Sequence, residues 1–136
     1  MSTRGRAARL VAPLAALLAA SAAFAFVGLV DPNEPGHYPV CPLLRFTGLY
    51  CPGCGGLRTA HAVATADLGA ALSANAVAVL GFVAAGALWL RWVLPAWRGG
   101  PVPPWPLRAA HWWALGAAVA VFSVIRNLPF GAALAP

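Results

Sequence analysis

The residues of this chain that could do chemistry lie in one stretch, residues 41–75, CPLLRFTGLYCPGCGGLRTAHAVATADLGAALSAN. It holds all three cysteines, Cys41, Cys51 and Cys54. The Cys51-Pro52-Gly53-Cys54 spacing brings two sulfurs close enough for a disulfide, a metal ion or thiol exchange, and Cys41 adds a third. A helix starting near Cys54 would put Cys54, Arg58, His61 and Thr65 on one face, at i, i+4, i+7 and i+11. A thiol at a helix start beside an arginine has a depressed pKa and some thiolate at neutral pH. Cys51, Cys54 and Arg58 are therefore the candidate catalytic set for thiol–disulfide chemistry. The plainer reading is a disulfide that staples a loop, with Arg58 reaching lipid phosphates. An odd cysteine count leaves one thiol unpaired in a monomer. A Cys41–Cys51 bridge closes a less strained ring than Cys51–Cys54, which would leave Cys54 free and the most reactive.

Zinc is the third possibility. Cys41, Cys51 and Cys54 supply three of the four ligands of a structural site. His61 fits poorly as the fourth, because seven helical residues rise about 10 Å. His37, four residues before Cys41 in a Pro/Gly-rich loop, fits better. Other chemistries lack support. The acids Asp31, Glu34 and Asp67 form no pair at a spacing suited to acid–base work, and Asp67 is most simply a helix cap. No glycine-rich phosphate loop sits in a βαβ context. A thioredoxin-like fold would need strand periodicity that the chain lacks.

The elements that must position these residues are apolar. Hydrophobic residues make up 61% of the 136 and charged residues 9%, against about 25% charged in soluble domains. The net charge is +6, and all nine cations are arginines at the ends of apolar runs. They form no basic stripe with interleaved aromatics, so nucleic acid is not an expected partner. Leu10–Val30 has 21 residues without a charge, enough to cross a bilayer. It is longer than the core of a signal peptide, although Ala23-Phe24-Ala25 resembles a cleavage site. A second run ends at Arg91 and a third, Ala109–Ile125, at Arg126. The spacing predicts spans over about 10–30, 70–90 and 109–125. Trp89, Trp92 and Trp97 with Arg91 and Arg98 make an interfacial belt, and Gly99–Pro106 makes a stiff linker. Asp31–Pro39 is a turn-rich exit loop. Helix is expected over Gly55–Thr65. Asp67 is placed to cap the next helix and Asn75 the second span. Counting Arg4, Arg6, Arg9, Arg91, Arg98 and Arg108 inside, against Arg45, Arg58 and Arg126 outside, puts the N-terminus in the cytoplasm and the cysteine stretch on the outer face.

The pattern CP…TG…CPGCG…R followed by Asp-Leu and Ala-Leu-x-x-Asn resembles the small bacterial membrane proteins of the domain of unknown function 2752 family. The residues that carry it are Cys41, Pro42, Thr47, Gly48, Cys51, Pro52, Gly53, Cys54, Gly55, Arg58, Asp67, Leu68, Ala71, Leu72 and Asn75. Relatives often place proline after the asparagine, where this chain has Ala76. The resemblance implies a multi-pass membrane protein and carries no activity.

The expectation is one all-α membrane domain over residues 1–136, with three transmembrane helices and a cysteine-containing outer loop bearing short interfacial helices. Its partners would be the lipid bilayer and a membrane protein or second copy. The cysteine loop would be a structural or docking element and the protein not an enzyme. The alternatives are a Cys51/Cys54 redox protein, and a zinc protein using Cys41, Cys51, Cys54 and His37. No other cofactor is expected.

Overall fold

The structure, a computed structural model, describes residues 3–101, 104 and 107–135. Val102, Pro103, Trp105 and Pro106 of the expected linker lie outside it, as do the side chains of Arg4 and Arg6 used in the charge count. The described residues form five α-helices and a short 3₁₀ segment, with no strand.

Helix α1 (Thr3–Leu29) and helix α4 (Leu68–Arg98) are long and apolar enough to cross a membrane, and α5 (Ala109–Ile125) is a shorter apolar helix. The first two run antiparallel. Arg9 Nη1 donates to the carbonyls of Gly99 (3.0 Å) and Gly100 (3.2 Å). Trp89 Nε1 donates to Pro13 O at 2.9 Å. Farther along, Phe24 and Phe82 meet edge to face at 5.2 Å. Arg9 thus occupies orphan carbonyls where α4 ends. Because α1 starts at Thr3, Pro13 sits inside the helix rather than in its first turn. A helical proline frees a backbone carbonyl, and membrane helices tolerate one where neighbours supply donors. Trp89 Nε1 bonds the carbonyl of Pro13 itself, one turn beyond the freed Arg9 carbonyl.

Two short helices lie between α1 and α4. Pro42 opens α2 (Pro42–Thr47), where its missing N–H costs nothing. Gly48, left-handed at φ 72°, closes the helix with its N–H on Leu44 O. Helix α3 (Gly56–Ala64) follows the left-handed Gly55. It packs on α4 and α1 through small residues: Ala62 and Ala71 are buried, and Gly28 is where α1 meets Ala64. The fully buried Thr59 joins α3 to α4, its Oγ1 donating to Gly55 O (3.0 Å) and Ala71 O (3.4 Å).

Both expected caps are present. Asp67 accepts from Ala70 N at 2.9 Å, and Asn75 from Ala78 N at 3.0 Å. Asn75 has extended backbone and breaks α4 into a short arm and a long one. The helix ends at Arg98, past the end near Leu90 expected for the second span. Interfacial Trp and Arg residues are compatible with helix, and the stop comes only at the left-handed Gly99. His111 is a cap, accepting from Arg108 N at 3.0 Å. After α5 the chain turns back through the 3₁₀ segment Pro129–Leu134, which packs on α4 and α5. Gly131 there is buried, and any Cβ would overlap the Ile125 carbonyl.

Candidate functional site

The three sulfurs converge. Cys41 Sγ lies 3.4 Å and Cys54 Sγ 3.3 Å from Cys51 Sγ. All three lie within 4.8 Å of one another, and none is in a disulfide. The expected Cys41–Cys51 bridge is therefore not formed, although those sulfurs are neighbours. Cys41 immediately precedes α2, and Cys51 and Cys54 flank the turn before α3, where Cys54 N donates to Cys51 O at 3.1 Å. Cys54 is buried, while Cys41 and Cys51 are half-buried.

The turn is clamped from two sides. Asn75 Nδ2 donates to Pro52 O (2.9 Å) and Cys54 O (3.0 Å). From the end of α5, Arg126 Nη1 donates to Cys51 O and Cys54 O, both at 3.1 Å. Arg126 is 1% exposed. Its guanidinium lies over Phe122 (4.8 Å to the ring centre) and Tyr50 (5.8 Å), which favours a cation. Its Nε and Nη2 are buried with no hydrogen-bond partner among the described residues. Next to it, Asn127 pairs with the Tyr50 backbone as a strand would, accepting from Tyr50 N (2.8 Å) and donating to Tyr50 O (2.9 Å).

Several sequence expectations are corrected by this geometry. Arg126, counted among the arginines outside at the end of the third run, is buried under the cysteine turn instead. His37 is not brought to the cluster: its Nδ1 lies 3.1 Å from Asp31 O and 3.6 Å from Glu34. His61 is engaged elsewhere, with Nδ1 2.8 Å from Val27 O and Nε2 3.8 Å from the Asp31 carboxylate. Arg58 is exposed and makes no hydrogen bond or ion pair among the described residues, so it does not activate Cys54. Asn127 and Tyr50 were missed. The only signal was an Arg-Asn pair closing a minimal-length apolar helix.

The acidity of the thiols is also reversed. Cys54 lies before α3, not in it, and burial, then the adjoining Cys51 thiol, push it up to about 11. The Leu44 backbone N–H at the start of α2, then the Cys51 thiol, hold Cys41 down to about 7. In chelator-treated protein, Cys41 alkylation is expected to rise with a midpoint near pH 7, since its thiolate forms there. Cys54 should still be accelerating two or more units higher. Peptide mass spectrometry after graded-pH iodoacetamide pulses measures both, and equal rates at pH 7 would refute the assignment.

The fold and site thus define an all-helical protein in which three thiols meet in a clamped turn beside long apolar helices. Residues 41–89 match the family described as protein of unknown function (DUF2752), which bears out the resemblance carried by the CPGCG stretch. No curated protein and no solved structure matches the chain.

Proposed function

We propose that this is a small three-span membrane protein whose outer-face cysteine cluster binds a thiophilic metal ion, zinc, through Cys41, Cys51 and Cys54. The observation that carries the reading is the convergence of three sulfurs within 4.8 Å. Zn–S bonds of about 2.3 Å in a tetrahedron put sulfurs about 3.8 Å apart, close to the separations here. Sulfur donors select zinc, copper(I) or iron–sulfur clusters over hard cations. Three thiolates around a divalent ion leave one net negative charge, and Arg126 is a buried cation without a carboxylate partner. Each makes the other's burial less costly.

The membrane placement rests on exposure. None of the most apolar part of α4 and only 11% of that of α1 is buried within the protein, whereas a soluble core helix would be covered. The bilayer is the partner such surfaces require. The arginine asymmetry favours a cytoplasmic N-terminus.

Metal analysis combined with thiol counting tests the function. Detergent-extracted protein is expected to carry one zinc per chain and three thiols that alkylate only after chelation. Cys51→Ser should lose the metal. Metal-free protein with a Cys51–Cys54 disulfide would overturn the zinc reading in favour of thiol exchange.

A further inference from the structure

A cleft of about 690 Å³ opens on the cluster, lined by all three cysteines, Gly55, Leu57 and Arg58. Among the described residues no fourth cysteine, histidine or carboxylate joins the three sulfurs. Three protein ligands and an open position distinguish reactive zinc sites from closed structural ones. The Glu34 carboxylate also lines the cleft, 3.6 Å from His37 Nδ1, whereas the part of the wall formed by α3 is suited to anions. Helix α3 begins there without a side-chain cap. The Leu57 and Arg58 backbone N–H groups have no partner among the described residues, and uncapped N–H groups at a helix start attract negative charge. Arg58 adds a full positive charge on the same wall.

Resting on the zinc reading above, we infer that the fourth coordination position is open to the cleft and takes a small exogenous thiolate that carries a carboxylate. The thiolate sulfur binds the metal, and the carboxylate meets Arg58 and the start of α3. The thiol proton goes to water on binding, and nothing is oxidised.

Cobalt(II) in place of zinc makes the site visible, because its absorption reports the number of sulfur ligands. Cobalt-loaded protein in detergent is titrated with mercaptoacetate and with 2-mercaptoethanol, and retained metal is measured after desalting. Both are expected to intensify the sulfur-to-cobalt band with the metal retained. Arg58→Gln should weaken mercaptoacetate about five- to tenfold and leave 2-mercaptoethanol within about twofold. Bands that do not change, or metal that leaves with the added thiol, would overturn the open position. Equal weakening of both ligands, or of neither, would overturn the carboxylate contact. Failure to load cobalt at all would overturn the metal reading and this inference with it. The load is read before any thiol is added, so the two failures are distinguishable.

Discussion

Arg126→Met is expected to weaken metal retention about ten- to a hundredfold while changing the stability of the metal-free protein much less. The guanidinium donates two hydrogen bonds to the carbonyls of Cys51 and Cys54. Bonds from a charged donor contribute roughly 1.5–3 kcal/mol each. Against this stands the cost of burying a cation whose Nε and Nη2 find no partner, several kcal/mol per ion. Without metal the two effects largely cancel, and methionine fills the volume. With three thiolates on a divalent ion the cluster is anionic, and only arginine offsets that charge. The loss of about 1.5–3 kcal/mol should therefore appear with metal bound and shrink on chelation. Competition against a chromophoric chelator gives the affinity, and melting in detergent with and without metal gives the coupling. A variant equally destabilised in both states would show that Arg126 merely props up the turn.

Asn75→Ala should cost about 2–4 kcal/mol of stability. Asn75 is 2% exposed and uses both ends of its amide. Nδ2 holds Pro52 O and Cys54 O, while Oδ1 caps the long arm of α4. Asparagine and aspartate are nearly equal as N-caps, so Asn75→Asp distinguishes a cap from a clamp. Aspartate keeps the acceptor for Ala78 N but turns a second oxygen toward two carbonyls. It is expected to be at least as damaging as alanine. Thermal melts of both variants decide this, and an aspartate variant as stable as the parent would reduce Asn75 to a cap. The same clamp sets the position of Cys54, so both variants should also lose metal.

Local relations were legible along the chain. The apolar runs specify membrane-length helices because backbone groups in hydrocarbon must pair within their own segment. Asp67 and Asn75 were readable as caps because a cap acts on an N–H three residues on. The meeting of Cys41 with Cys51 and Cys54 followed from short spacing and the turn residues between them.

What tertiary structure alone decided are contacts between residues far apart in sequence. Arg126 reaches Cys54 across 72 residues and Asn127 reaches Tyr50 across 77. No periodicity encodes such pairs. They arise when α5 and its 3₁₀ return bring the end of an apolar helix under the cysteine turn. The histidines show the converse. His37 and His61 stand near the cysteines in sequence, yet the exposed His37 folds back on the Asp31 carbonyl of its own loop, and the partly buried His61 takes the Val27 carbonyl of α1, since a ring nitrogen leaving water needs a partner. Cys54 went the same way. A helix start beside an arginine favours a thiolate, but burial, with Asn75 and Arg126 closing on the turn, disfavours charge on sulfur more strongly, and that burial exists only once the helices are assembled.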